Sequence, residues 1–210
     1  MRVLPGGDRA LLAEFASLEL AIAAYEAWSA AAHPGIVELV PGARTVLVQI
    51  DVGAAGLGAV EQWLIAHAPT ESDGSRSAPA GSAPVVIPVA YDGEDLAVVA
   101  EAWGCSPEAV VDRHTTIPWL CAFIGFAPGF PYLVPVDQSL PLVPRRATSR
   151  PTVPAGSVAL AAEYCGIYPR ESPGGWQLIG RTSAVLWDAE SDSPALVTPG
   201  TQVRFEAVRP

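Results

Sequence analysis

The chain has 210 residues, half of them apolar, and a formal net charge of −10; that length and apolar share suffice for one large domain or two small ones with a real core. The acidic balance argues against nucleic acid, whose recognition rests on a basic surface. All twelve cations are arginine, which excludes Schiff-base catalysis, a pyridoxal site and the lysine of a phosphate-binding Walker loop.

Ala10 to Phe15 reads as a short strand after the turn at Pro5-Gly6-Gly7. Ser17 is placed to cap a helix running to about Ala32, with Leu18, Ile22, Tyr25 and Trp28 on one stripe and Pro34-Gly35 ending it. Ile36 to Val40 and Thr45 to Asp51 read as two strands joined across Pro41-Gly42-Ala43. A second helix from about Ala55 to Ala68 sets Leu57, Val60 and Leu64 on one face. His33 and His67, near the helix ends, suit the C-terminal dipole and read as structural. Residues 1–69 therefore read as one small α+β domain. Residues 70–84 carry no large apolar side chain and are rich in Ser, Ala, Gly and Pro, the composition of a linker.

A second domain, 85–210, opens with a strand from Val85 to Val89, a helix from Glu94 to Trp103, and a helix capped at Ser106-Pro107-Glu108 that ends near His114. Beyond Ile117 come short apolar runs, Trp119 to Ile124, Val158 to Ala161, Ala184 to Trp187 and Val203 to Phe205, punctuated by Pro and Gly. That is the pattern of a β-barrel or sandwich. The uncharged stretch from His114 to Val136 contains Pro118, Pro128, Pro131, Pro135, Gly125 and Gly129, which rule out a membrane-spanning helix. Cys105, Cys121 and Cys165 are an odd, sparse set without zinc-ligand spacing. The N-terminus breaks at Pro-Gly-Gly before a signal core forms, so the chain reads as reduced and cytoplasmic.

From Arg145 to Arg181 the balance reverses. Arg145, Arg146, Arg150, Arg170 and Arg181 face only Glu163 and Glu171, a local positive island among glycine and proline turns. Such turns aim backbone N–H groups at a ligand, and the island invites an anion.

The segment Gly125-Phe126-Ala127-Pro128-Gly129-Phe130-Pro131-Tyr132-Leu133 resembles the Gly-Phe-x-Pro-Gly-Phe-x-Tyr-Leu block of the allophanate hydrolase subunit 1 family, which includes the B subunit of 5-oxoprolinase and the sporulation-kinase inhibitor KipI. Val153 to Val158, Gly166 to Pro169 and Ser172 to Thr182 are similar to its later blocks, and Leu39-Val40-Pro41-Gly42 to its N-terminal domain. The resemblance implies a ferredoxin-like N-terminal domain and a cyclophilin-like C-terminal β-barrel. It also implies partnership with a subunit 2 of the 5-oxoprolinase C type and a third subunit of the A type, which together open 5-oxoproline to glutamate at the expense of ATP, with Mg as its counter-ion. Acting with subunit 2 as an allophanate hydrolase is the related possibility. The chain alone is then expected to be inactive, with Phe126, Phe130 and Tyr132 forming an apolar patch that a partner covers. A KipI-like inhibitor docking on a histidine kinase is the alternative. The sequence departs from the family's Gly-Asn/Gln-Gln-Thr at Ala162-Glu163-Tyr164-Cys165, which changes the hydrogen-bonding character of that loop.

Cleaving an amide with ATP requires cations around the transferred phosphoryl group. Arg150 and Arg181 are the first candidates, as planar donor forks. The turns containing Gly156 and Ser157, and Gly174 and Gly175, offer backbone N–H groups, and the Thr182 hydroxyl is placed to donate to the same anion. Tyr168 and Gln177 are candidates to orient an amide, and Glu163 belongs to the divergent loop. His114 matches a histidine that the family carries before its Gly-Phe block and is the candidate acid–base group. Trp176 reads as core. Cys165 has no histidine near it in sequence and is not read as a nucleophile.

Overall fold

The computed structural model describes residues 1–69, 83–136 and 140–209; most of the stretch read as a linker lies outside them. The chain divides into two compact units, Met1–Arg76 and Ser77–Pro210.

In the first unit, strands β1 (Arg2–Pro5), β2 (Ala10–Glu14), β3 (Ile36–Pro41) and β4 (Thr45–Ile50) form an antiparallel sheet of order β1-β2-β4-β3. Strict alternation buries Leu11 and Ala13 of β2, and Val46, Val48 and Ile50 of β4, on one face. Helices α1 (Leu18–Ala31) and α2 (Leu57–Ala66) cover that face with Ala21, Ala24, Trp28, Val60 and Leu64. The Ser17 hydroxyl accepts from the Leu20 amide at 3.4 Å, as its sequence position predicts. Trp28 Nε1 donates to the His67 carbonyl at 3.1 Å, tying the end of α2 to α1. His67 Nδ1 lies 2.8 Å from the Trp63 carbonyl, the end-of-helix role expected of it. Strand β1 has no counterpart in the sequence reading. It pairs with β2 through a hairpin whose Gly7 sits at φ +94°, so Pro-Gly-Gly is a hairpin turn rather than a leader to the first strand.

The second unit is built on a seven-stranded sheet of order β12-β9-β10-β7-β6-β13-β5. Its strands are β5 (Val85–Val89), β6 (Trp119–Ile124), β7 (Pro131–Pro135), β9 (Ser157–Ala161), β10 (Tyr164–Ile167), β12 (Gln177–Arg181) and β13 (Gln202–Ala207), with helices α3 (Leu96–Trp103) and α4 (Pro107–Thr116) between β5 and β6. The two edges nearly meet. Just after β5, Ala90 exchanges both backbone bonds with Arg181 at the end of β12, each 2.9 Å long, and Asp95 N donates to Leu178 O at 3.0 Å. The sheet is thus a nearly closed barrel, which removes its free edges.

Alternation sorts the strands' side chains onto two buried layers. Leu133, Val158, Leu160, Cys165, Ile167 and Ile179 point inward with Val99, Trp103 and Val110 from the helices. Tyr132, Ala159, Ala161, Tyr164, Tyr168 and Leu178 point outward into a second cluster. A two-stranded ribbon of β8 (Arg150–Val153) and β11 (Ser172–Gly174) contributes Val153 to this outer layer. Burial on both faces explains why these strands read as continuous apolar runs. The run from Ala184 to Trp187 is not a strand. Leu186 turns in at 2% exposure, Val185 turns out at 67%, and a single bridge joins Trp187 to Ala195, flanked by backbone bonds from Leu196 to Leu186 and from Asp188 to Pro194. Phe130, expected on an exposed patch, is buried; Phe126 is exposed as expected.

Candidate functional site

Two cavities lie on the outer surface of the barrel unit. The first, about 580 Å³, is walled by Phe126, Phe130, Tyr132, Tyr164, Tyr168 and Trp176, with Arg145 and Ser149 at one side and the turn Pro173-Gly174-Gly175 at the other. The rings brace one another edge to face: Phe130 lies 5.1 Å from Tyr168 and 5.5 Å from Trp176 between centroids, at nearly right angles to both. The walls are therefore rigid as well as apolar. Gly174 and Gly175 are bare for a reason: a β-carbon at 174 would collide with the Tyr168 hydroxyl, and one at 175 would stand 2.9 Å from Ser149 Oγ. Phe126 (φ 65°) and Ala162 (φ 50°), both non-glycine residues in the left-handed region, line this same cavity. Backbone strain of that kind collects where a site must be held in shape. Burial raises the phenol pKa of Tyr132 and of Tyr168, against the opposing pull of Arg145, so both hydroxyls remain protonated donors.

The second cavity, about 470 Å³, is lined by Asp92, Gly93, Glu94, Pro154, Ala155, Ser157, Leu178, Gly180 and Arg181. Arg181 Nη2 stands 2.8 Å from Asp92 Oδ2, with both side chains partly exposed. Ser157 Oγ donates to the Pro154 carbonyl at 2.8 Å. Gly156 (φ +79°) receives the Thr182 amide on its carbonyl at 2.8 Å, and the Thr182 hydroxyl accepts from the Ala184 amide at 3.1 Å. A β-carbon on Gly156 would strike the Thr182 carbonyl. Gly156→Ala combines that clash with an unfavourable backbone angle, and is expected to destabilise the unit by about 2 kcal/mol or more. Chemical denaturation of the parent and variant chains checks this.

Asp95 joins the two cavities. It is 3% exposed, and its carboxylate accepts from Arg150 Nη2 at 2.7 Å, Arg146 Nη1 at 3.0 Å and the Leu178 amide at 2.7 Å. Arg150 also donates to Glu94 at 2.8 Å and to the Trp176 carbonyl at 3.3 Å. Burial acts to lower the Arg150 pKa, but the bonds to Glu94 and Asp95 outweigh it and the pKa rises. Gln177 Nε2 donates to the Pro144 carbonyl at 2.9 Å. Arg150 and Gln177 are thus the stitching between the cavities and line neither.

His114 is elsewhere. It is fully buried on the inner face of the barrel, with Nδ1 2.7 Å from the Tyr91 hydroxyl, Nε2 3.3 Å from Cys165 Sγ and its ring 4.3 Å from that of Phe205. Burial lowers its pKa to about 3 and raises that of the Cys165 thiol well above the ordinary value. Cys165 points inward from β10 while its neighbour Tyr164 points outward to the first cavity, so the thickness of the sheet separates His114 from that cavity. The fold does supply Cys165 with the histidine its sequence neighbourhood lacks, yet the pair is a neutral thiol against a neutral imidazole.

The sequence-predicted residues therefore divide. Tyr168, Gly174 and Gly175 meet at the first cavity; Ser157 and Arg181 line the second, with Gly156 and Thr182 joined at its edge. Glu163 is exposed at the turn between β9 and β10, and the residues beside it, Ala162 and Tyr164, are the ones that line the first cavity. Sequence reasoning names Arg145 only as one of the island's five arginines and Phe126, Phe130 and Tyr132 only as a patch for a partner; of the walls it gives a ligand role to Tyr168 alone. The signal for the other walls is the aromatic spacing of Phe126, Phe130 and Tyr132, which reads equally well as an apolar loop.

The family model described as carboxyltransferase domain, subdomain C and D, matches residues 1–197. The B subunit of 5-oxoprolinase from Escherichia coli O157:H7 is 40% identical over 179 residues, covering 82% of this chain and 78% of that protein. Among solved structures, TTHA0988 superposes with a TM-score of 0.75 at 34% identity, over 96% of this chain and 40% of that one. The urea amidolyase of K. lactis superposes with a TM-score of 0.71 at 25% identity, over 99% of this chain and 15% of that one. The chain thus spans less than half the length of both solved relatives.

Proposed function

Because the chain belongs to the family of the carboxyltransferase domain, subdomain C and D, and is itself similar to the B subunit of 5-oxoprolinase, we propose that it is one subunit of an ATP-dependent hydrolase. The hydrolase opens an amide or lactam C–N bond, with 5-oxoproline the first substrate to test and allophanate the second. The observation that carries the reading is the rigid aromatic cavity closed by the Pro173-Gly174-Gly175 turn, whose flat walls suit the plane of a small amide. Amide resonance makes the carbonyl a poor electrophile. Transfer of a phosphoryl group from ATP to its oxygen turns that oxygen into a leaving group, with cations stabilising the charge on the group in flight.

In this proposal Tyr168, Gly174 and Gly175 hold the substrate. Arg181, Gly156, Ser157 and Thr182 face the phosphoryl group from the second cavity, and Arg150 and Gln177 lock the two sites together. Glu163 stands at the divergent turn beside the substrate. His114 anchors β10 from the inner face, and a positioning role replaces the acid–base role expected of it. Mg²⁺ enters with the nucleotide, on its phosphates. The partners are a subunit 2 of the 5-oxoprolinase C type and a third of the A type, and the complex works in the cytoplasm. No helix among the described residues is long and apolar enough to cross a membrane.

Two finer points of architecture belong to the same proposal. The division into residues 1–69 and 85–210 follows the linker composition. The order β1-β2-β4-β3 with α1 and α2 supports a ferredoxin-like first domain in which the N-terminal hairpin strand takes the place of the last strand, and the nearly closed seven-stranded sheet supports a cyclophilin-like second. The relatives named as B subunits of 5-oxoprolinase favour this enzyme reading over a KipI-like kinase inhibitor.

The test is reconstitution. Co-expressed with its C-type and A-type partners, the chain is expected to enter one gel-filtration peak that converts 5-oxoproline to glutamate with matching ADP release, and to do neither alone. An assembled complex that consumes no ATP with 5-oxoproline or allophanate defeats the reading.

A further inference from the structure

We infer that Arg145 is the specificity-determining residue of the first cavity, where its guanidinium takes the single anionic group, a carboxylate, of a small flat ligand lying against the aromatic walls. The inference deepens the amide-hydrolase reading and rests on it for the cavity being the substrate site.

The other arginines of the island near the two cavities are committed: Arg146 and Arg150 to Asp95, Arg150 also to Glu94, and Arg181 to Asp92. Arg145 has no carboxylate partner among the described residues, and neither Asp nor Glu lines its cavity. Its charge is therefore left for a ligand. The segment that carries it is clamped on both sides. Pro144 accepts from Gln177 at 2.9 Å, and Arg146 donates its amide to Gly175 O at 2.8 Å and its side chain to Asp95 at 3.0 Å. A fixed backbone with a free guanidinium is a preorganised binder, since little ordering remains to be done on association.

The guanidinium lies beside the Pro173-Gly174-Gly175 turn, since a β-carbon on Gly175 would stand 3.8 Å from Arg145 Nη2. The phenols of buried Tyr168 and half-buried Tyr132, kept protonated, add neutral donors to the same cavity. One cation fits one negative charge. A triphosphate brings several charges to a single arginine, so Arg145 matches the substrate's one carboxylate and not the nucleotide.

Isothermal titration of the full chain tests this with three probes: 5-oxoproline, 2-pyrrolidinone (the same ring without the carboxylate) and pyrrole-2-carboxylate (a flat carboxylate with no lactam to open). The parent is expected to prefer 5-oxoproline to 2-pyrrolidinone by roughly ten- to a hundredfold, the worth of a charge-assisted hydrogen bond. Arg145→Gln should bring the two to within about threefold at an unchanged melting temperature, and Arg145→Lys, which keeps the charge without the fork, should fall between. Undiminished discrimination in Arg145→Gln, or a parent that binds neither carboxylate, overturns the inference. Pyrrole-2-carboxylate separates the two claims: if its binding depends on Arg145 while the reconstituted complex opens no lactam, Arg145 stands and the hydrolase reading falls.

Discussion

Replacing Asp95 by asparagine is expected to destabilise the second unit by about 3–5 kcal/mol, the range found when one partner of a buried ion pair is removed. The carboxylate is 5% exposed and the Arg150 side chain 11%, so the substitution leaves that guanidinium with only the exposed Glu94 as counter-charge and little water to replace what it loses. Asparagine keeps the shape and one acceptor oxygen, so the loss isolates charge from packing. Glu94 is the internal control. It bonds the same arginine at 2.8 Å but is 66% exposed, and solvent screening should hold Glu94→Gln below about 1 kcal/mol. Thermal melts of the three chains decide the matter: Asp95→Asn is expected to melt roughly 10 °C or more below the parent, and a shift within about 2 °C would show that Asp95 is no hub.

Acid should unfold the same unit by a different route. An unfolded chain protonates histidine near its ordinary 6.5, whereas buried His114 resists until about 3. Between those values the unfolded state binds the extra proton, so stability falls as pH falls, and by pH 3 the accumulated loss from this residue reaches about 5 kcal/mol. The groups facing the imidazole, Tyr91 and Cys165, both have raised pKa values and do not titrate in this window. His114→Gln is expected to be less stable at pH 7.5, because Tyr91 and Cys165 lose a fitted partner, but flatter between pH 6.5 and 4.5 by nearly one proton. Urea denaturation at four pH values for parent and variant reads the difference, which cancels His33, His67 and the carboxylates common to both. Parallel slopes would mean that His114 is not held neutral.

Much of the architecture was legible because it rests on local signals. Ser17 and Ser106 each sit three residues before the amide they accept from, and the Leu57, Val60 and Leu64 stripe needs only helical periodicity. The site was less legible, for a physical reason. Arg145, Arg150 and Arg181 look alike as charges in a sequence, and their difference lies in Asp92, Glu94 and Asp95, acids some fifty to ninety residues away that the barrel closure brings back. The inward or outward direction of Cys165 and Tyr164 likewise depends on pleat, and a strand buried on both faces gives no alternation by which to read it. His114 lies close to Cys165 only because β10 passes over α4, fifty-one residues later in the chain.

Strand β5 pairs in parallel register with β13, Val85 opposite Val203 through Val89 opposite Ala207. On a ribosome, the first strand of the unit to emerge must therefore wait for the last. Until β13 is out of the exit tunnel, Ile87 and Val89 have no inner neighbour on that side, and the seam at Ala90 and Arg181 closes against a strand that is not yet anchored. The second unit thus closes late, with apolar surface uncovered until β13 arrives. The antiparallel first unit pairs over shorter separations, the widest being Ala10 opposite Gln49, so all of its strands are out while its sister is still being translated.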